Sequence, residues 1–514
     1  MQTDTDSTDV SKRHFLQAAG AAAAIGLATR VRAAASSDAW DVIVVGGGNA
    51  GLPTAIFAAQ RGARVLIIEA AGQIGGTLFL STGQMSAAGT KLQRARGITD
   101  TPQSHYDDIM RISDNSADPE LVRLAVDHAA PVFDWLTDHG FAVLPGHPVT
   151  GTTHDPYSHA RYAWGPEGGR SILNVLSAQL APLLANGRVK ILTQTKVTEL
   201  LQQGDGTVTG VVAASASGDR QRYLAHQTVL TCGGYTNNPG MYERLEGAKT
   251  YSRATYPHSL GAGIELGLAA GGYVRGGDKH TPLFGAVAAD SDYPAPMRAL
   301  VRHFPPDRPP FEIYVNAAGK RFVREDIPSH TAYERGLGAQ TEERCWVVFD
   351  DAILRAAPPL ATSGINAFWP PENTAAAFEN GTPMFFRAES VAALAAAAGI
   401  DAAGLASTVT DFNRGQASGQ DSLGRKHMPM PIDKPPYYAI QLQSWNLTAY
   451  AGIAVNNRLQ AIRGNGTVIR NLYIAGELLG MGQLMGRSIC GGMAVTPALA
   501  FGRLLGREIL SFPT

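Results

Sequence analysis

Asp41-Val42-Ile43-Val44-Val45-Gly46-Gly47-Gly48-Asn49-Ala50-Gly51, carried on through residues 52–61 and closed by Gly62-Ala63-Arg64-Val65-Leu66-Ile67-Ile68-Glu69, decides the fold of this chain. The apolar run 42–45 suits a buried parallel strand, and the Ala- and aliphatic-rich stretch after Gly51 suits a helix ended by Gly62. Residues 64–68 form a second strand with Glu69 at its C-terminal end. The glycines between strand and helix let the backbone approach a pyrophosphate, and the helix N-terminus offers that anion N–H groups and a positive dipole end. A carboxylate ending the second strand accepts hydrogen bonds from ribose hydroxyls. Gly46, Gly48, Asn49, Ala50, Gly51, Glu69 and Ala70 are therefore predicted to hold a dinucleotide. A bare glycine triplet is weak support; its place inside a complete strand–helix–strand unit makes it strong.

The far end of the chain narrows the cofactor. Leu472-Tyr473-Ile474-Ala475-Gly476-Glu477 repeats the strand–glycine–acid order and looks like the second flavin contact of glutathione-reductase-type folds. An N-terminal fingerprint paired with such a distant segment argues for FAD in a domain split along the chain. Only one glycine fingerprint is evident, so electrons are expected to come from, or go to, something other than NAD(P)H bound by this chain. Between the two ends, residues 189–192, 208–212 and 227–231 read as strands, the first two separated by the turn Gly204-Asp205-Gly206. From about residue 275 to 447 proline pairs appear (Pro305-Pro306, Pro309-Pro310, Pro370-Pro371, Pro435-Pro436) among Ala-rich helical stretches, which reads as an inserted second domain. The expected division is 40–274 and 448–514 for FAD and 275–447 for the insertion.

Composition excludes several classes. With 514 residues, 45% of them hydrophobic, the chain is too long for one ordinary domain. A formal net charge of −1 gives no electrostatic case for nucleic acid. Cys232, Cys345 and Cys490 are far apart with no CxxC, so neither a metal site nor a disulfide framework is expected, and no CxxCH attaches a haem. Residues 1–35 read as an export signal: Ser11-Lys12-Arg13-His14-Phe15-Leu16, the apolar run 18–28, then Ala33-Ala34-Ala35 as a cleavage site. The run is too short to span a membrane. The basic segment resembles a twin-arginine signal with Lys12 in place of the first arginine, so the export machinery for folded proteins is the expected partner and the location is periplasmic or exported.

The chain as a whole, from Trp40 to Thr514, resembles the flavoprotein family of fumarate reductases, 3-ketosteroid 1-dehydrogenases and tricarballylate dehydrogenases. The resemblance is carried by Gly75-Gly76-Thr77, Ser81-Thr82-Gly83-Gln84-Met85-Ser86-Ala87-Ala88-Gly89-Thr90-Lys91, Asp118-Pro119-Glu120-Leu121-Val122, Cys232-Gly233-Gly234-Tyr235 and Gly261-Ala262-Gly263-Ile264. Val315-Asn316-Ala317-Ala318-Gly319-Lys320-Arg321-Phe322-Val323, Gly491-Gly492-Met493-Ala494-Val495 and Phe501-Gly502-Arg503 complete it. It implies an α/β fold: a Rossmann-like FAD-binding domain of glutathione-reductase type with an inserted α+β capping domain. It extends the expected FAD contacts to Gly76, Thr77, Thr82, Gly83, Gln84, Met85, Val197, Cys232, Gly233, Gly234, Gly263, Gly476, Glu477, Gly492, Ala494 and Val495. The covalent-FAD version of the family needs a His near Leu78; none is there, so non-covalent FAD is expected.

The resemblance also shows where this chain departs. The proton-delivering Arg of fumarate reductases, four positions after the Glu of an RFxxE motif, falls at Ser329, with Glu325 as that Glu. Ketosteroid dehydrogenases place a Tyr there after a Pro, which Pro328 matches. A fumarate-reductase His falls at Thr448, and the carboxylate-binding Arg at Ile489. The ketosteroid Tyr-Pro-Gly-Pro-Gly segment is here Ser488-Ile489-Cys490-Gly491-Gly492. Neither constellation is intact, so neither fumarate nor a standard ketosteroid is the expected substrate. Five candidates for chemistry remain. His280 matches a substrate-binding His by position, Arg308 matches an Arg of the proton path, and His330 follows the expected donor position. Tyr450 precedes a segment expected to face the flavin, where a phenol serves as acid or base. Arg487 suits bidentate binding of a substrate carboxylate. Each has a structural alternative: a hydrogen-bonded or surface His, a packed Tyr, an Arg that ties a loop or stays solvated. His154, Tyr157, His159, Tyr162 and Trp164 crowd one segment that either lines the substrate mouth or forms a surface loop.

The expected function is dehydrogenation of a CH–CH bond beside a ketone or carboxylate, with hydride passing to the flavin and electrons leaving to a separate quinone, cytochrome or oxygen. The alternatives are a periplasmic reductase of an unsaturated acid and a non-catalytic FAD-binding subunit.

Overall fold

The computed structural model describes residues 39–151, 154–253, 255–301, 308–363 and 367–511. The expected export segment lies outside them. The fold is α/β, with a parallel sheet and an additional domain built on a second sheet.

The fingerprint unit forms as its pattern dictates: strand Trp40–Val45, helix Gly51–Gln60, strand Val65–Ile68. The strands are buried on both faces, which is why they read as unbroken apolar runs. Trp40–Val45 pairs in parallel with Val65–Ile68 on one side and with Arg220–Leu230 on the other. Val189–Leu192 extends the sheet beyond Val65–Ile68, and Val468–Ile474 extends it beyond Arg220–Leu230. The register brings Val45 level with Ile68 and Leu230, Ile68 level with Leu192, and Leu230 level with Ile474. The carboxyl ends of these strands therefore stop in one row, where open α/β sheets bind ligands. An antiparallel pair, Thr195–Gln202 and Val208–Ser215, joins the edge of Arg220–Leu230.

Helix Val495–Glu508 lies directly on Gly51–Gln60. A Cβ at Gly502 would come within 2.3 Å of the Ala50 carbonyl oxygen, so glycine there sets how closely the two helices pack.

The second sheet is mainly antiparallel and centres on the ten-residue strand Tyr437–Asn446, which pairs antiparallel with Leu283–Ala288, Arg344–Asp350 and Phe385–Ala388 and in parallel with Ser252–Arg253. It has its own core, reaching from Phe284 to Leu442 in sequence, separate from the core around the parallel sheet. Against this sheet packs the helix His330–Gly338. No helix among the described residues is long and apolar enough to cross a membrane.

Candidate active site

A cavity of about 780 Å³ runs from the row of strand ends to the second sheet. At the strand ends its floor is nearly free of side chains. Gly48 and Gly76 face each other, and a Cβ on Gly76 would stand 3.4 Å from the Cα of Gly48. Gly51 begins the helix so close to the turn that a Cβ would lie 1.9 Å from the Gly46 carbonyl oxygen. Glu69 accepts the Gly47 N–H on one carboxylate oxygen and the Ala71 N–H on the other, both at 2.8 Å. Its carboxylate is thereby fixed at the cavity wall with lone pairs to spare for hydroxyl donors. Asn49 gives its amide N–H to the Val495 carbonyl at 3.1 Å, and its buried Oδ1 accepts nothing within the protein. A narrow, glycine-lined cradle with acceptors waiting for hydroxyl groups fits the pyrophosphate and sugar chain of FAD.

Gly46, Gly48, Asn49, Ala50, Glu69, Ala70, Gly76, Thr77, Thr82, Gln84, Val197, Cys232, Gly233, Gly476, Glu477, Gly492, Ala494 and Val495 all line the cavity. Gly51, Gly83, Met85, Gly234 and Gly263 stand behind its wall. They act there by close packing: a Cβ on Gly83 would meet Gly168, one on Gly234 the Glu477 carboxylate, and one on Gly263 the Leu478 side chain and the Cys232 sulfur. Burial pushes the Cys232 thiol up to about 12, so it stays protonated.

The five candidates for chemistry separate. His330 lines the cavity. Tyr450 does not: it is 2% exposed, packed on the His280 ring at 5.8 Å, and its hydroxyl, beside Thr281, makes no hydrogen bond of good geometry. His280 is held between two carboxylates, Nδ1 at 2.9 Å from Glu246 and Nε2 at 3.1 Å from Glu343. Burial opposes its charge, but those two hydrogen bonds outweigh burial and raise its pKa to about 9. Arg308 is buried against Glu312 and donates to the Pro358 and Pro359 carbonyls at 3.0 and 3.1 Å. Arg487 is exposed, and its backbone N–H donates to Ser116 Oγ. None of His280, Arg308, Tyr450 and Arg487 lies on the cavity wall.

The aromatic segment proves to be part of that wall through His154, Tyr162 and Trp164. It is pinned from below by Arg161, which is 1% exposed and ion-paired to Asp100 at 2.8 Å and Asp108 at 3.1 Å. Ser329, expected from the resemblance to stand where relatives carry a proton donor, caps helix His330–Gly338 by accepting the Ala332 N–H and donates to Asp155 at 3.1 Å. Sequence reasoning missed Glu334, which lines the cavity one helical turn after His330. Its only sequence signal was the i, i+4 spacing, legible once the helix was placed. It also missed Phe284, Leu300 and Val301, which the second sheet delivers to the cavity.

A family model described as an FAD binding domain matches residues 41–493. The chain belongs to this family. Among curated proteins it is 27% identical over 492 residues to a fumarate reductase (cytochrome) of Shewanella frigidimarina, covering 93% of this chain and 78% of that one. It is 26% identical over 473 residues to a vinyl phenol reductase of Lactiplantibacillus plantarum, covering 86% of this chain and 90% of that one. It is 24% identical over 578 residues to a 3-oxosteroid 1-dehydrogenase of Mycobacterium tuberculosis, covering 91% and 98%. Among solved structures, a 3-ketosteroid Δ1-dehydrogenase from Sterolibacterium denitrificans superposes with a TM-score of 0.72 at 19% identity, covering 92% of this chain and 100% of that one. This member of the FAD binding domain family is an FAD-dependent oxidoreductase acting on CH–CH bonds.

Proposed function

We propose that this chain oxidises a CH–CH bond beside the carbonyl of an uncharged, largely apolar substrate, with FAD held non-covalently. The carrying observation is the wall facing the second sheet. Leu283, Phe284, Leu300, Val301, Trp445, Met481, Met485 and Ile489 line it, with His154, Tyr162, His330, Glu334, Thr362 and Thr448 among the polar groups of the cavity. Among the described residues no arginine lines the cavity, and the one lysine there, Lys196, sits beside Val197 at the end of the cradle near Glu69. A dicarboxylate here would lose its hydration without gaining a cation, which is costly. A ketone needs only one hydrogen bond and apolar walls.

FAD, when bound, supplies the hydride acceptor. The chain supplies the proton chemistry and the dry cavity. His330 is the base for the proton next to the carbonyl: it is the imidazole-bearing residue of the helix that meets the cavity, and an imidazole nitrogen is a common proton acceptor in such steps. The segment around Leu78 offers Gly75, Gly76, Thr77, Phe79 and Leu80, none of which forms a bond to a flavin, in keeping with non-covalent binding. The reduced cofactor passes its electrons to a separate quinone, cytochrome or oxygen. The order basic, apolar and small within residues 1–35 supports export by the twin-arginine route and a periplasmic or external location.

Anaerobic addition of cyclic ketones, ketosteroids and polycarboxylates to the purified holoprotein tests this reading. Uncharged ketones are expected to bleach the oxidised-flavin band and polycarboxylates to leave it unchanged. Bleaching by polycarboxylates alone would overturn the substrate class. His330→Asn is expected to slow the bleaching at least about a hundredfold with FAD retained. Acid denaturation is expected to release all flavin into the supernatant.

A further inference from the structure

Helix His330–Gly338 begins at the cap formed by Ser329 and turns two residues one turn apart, His330 and Glu334, to the same cavity. Glu334 is 3% exposed, and its Oε2 makes no hydrogen bond. A buried polar atom left in this state destabilises the fold unless a ligand completes it. The cavity that it lines is where such a ligand would lie. We propose that Glu334 acts as a neutral carboxylic acid, donating its O–H to the carbonyl oxygen of the substrate while His330 removes the adjacent proton. This rests on the reading of the reaction given above.

The groups that face Glu334 come from several elements. Burial first, then Asp155 from the aromatic segment, push its carboxyl well above the usual carboxylate range, against the opposing Arg335 on its own helix. Tyr450 and Cys490, from the two segments behind it, are themselves held protonated by burial. Among the described residues the one lysine of the cavity wall, Lys196, stands at the cradle beside Val197, and Arg335 is the cation that acts on Glu334. At neutral pH Glu334 is therefore a donor.

A neutral acid in an apolar site is an effective partner for a developing enolate, because its O–H strengthens with the charge that it faces. The step balances on these residues. The C–H bond beside the carbonyl breaks and its proton goes to His330. The next C–H bond breaks and its hydride goes to FAD, which is reduced by two electrons. A C=C bond forms, and Glu334 keeps its proton throughout. A planar phenol holds an oxygen on an sp² carbon as an enol does, so it serves as an uncharged mimic of that state.

Holoprotein carrying Glu334→Gln or Glu334→Leu tests the assignment, with 2-naphthol binding measured by calorimetry and ketone oxidation measured with an artificial acceptor. Gln keeps a donor; Leu does not. Glu334→Gln is expected to stay within about tenfold of wild type in both readouts, and Glu334→Leu to lose at least about a hundredfold in kcat with FAD retained. Wild-type turnover is expected to fall at high pH as the carboxyl ionises, with the Glu334→Gln variant free of that limb. Equal impairment of the Gln and Leu variants, or unchanged naphthol binding by the Leu variant, would overturn the donor role. Naphthol binding that depends on Glu334 in a protein that oxidises no ketone would support the donor and overturn the reading of the reaction.

Discussion

Tyr450 and His330 are both polar side chains near the parallel-sheet ligand row, and both suit acid–base work by residue type. Their surroundings divide them. Tyr450 is sealed behind the cavity wall with burial holding its phenol well above its ordinary range, whereas His330 reaches the cavity itself. A buried hydroxyl without a good partner is close to a net cost. Tyr450→Phe is accordingly expected to retain FAD, to unfold at an equal or slightly higher temperature, and to turn over within about threefold of wild type. A hundredfold loss with FAD bound would return Tyr450 to the chemistry. The choice between the two was not legible in the sequence, since each precedes or follows a family motif by one step and only the packing tells which side faces the cavity.

Helix His330–Gly338 turns His330 and Glu334 to the cavity, and its start is fixed by Ser329. The hydroxyl accepts the Ala332 N–H at 3.2 Å and donates to Asp155 at 3.1 Å. Ser329→Ala is expected to lower stability by about 1 kcal/mol in denaturant unfolding, as loss of a cap does. Its turnover is expected to fall less than about tenfold, because the hydroxyl is committed to the helix and to Asp155 rather than to the cavity; a loss of two orders of magnitude or more would assign Ser329 a part in proton transfer. Ser329 thus holds in place the helix on which His330 and Glu334 stand.

At the scale of the molecule, His280 joins the two sheets' territories. Glu246 ends the helix Pro239–Glu246 beside the parallel sheet, and Glu343 lies just before the second-sheet strand Arg344–Asp350. The folded imidazole titrates at about 9 against 6.5 for the free group. A folded pKa above the unfolded one means that the clasp stabilises fully below 6.5 and is lost as pH rises through about 9. Unfolding in urea at a series of pH values is expected to show a decline of roughly 3 kcal/mol across that window, and His280→Gln to flatten it. A wild-type profile level through the window would show that the clasp contributes nothing.

The sequence by itself determined the cofactor cradle. Strand, glycine turn, helix and acid are local patterns, and each constrains the backbone within a few residues, so Gly46, Gly48 and Glu69 could be placed from the order of residues alone. A second domain was also expected from its prolines and helical stretches, whereas the strands of its sheet, such as Arg344–Asp350 and Tyr437–Asn446, were not read from the sequence. The tertiary structure alone decided the substrate side. Phe284, Val301, His330, Glu334 and Trp445 lie far apart in the chain and share no spacing that signals a common wall. They meet because the antiparallel register of the second sheet and the docking of one helix bring them over the ends of the parallel strands. Which polar groups reach a cavity, and in which protonation state, depends on burial, and burial is a property of the packed molecule rather than of any one stretch of it.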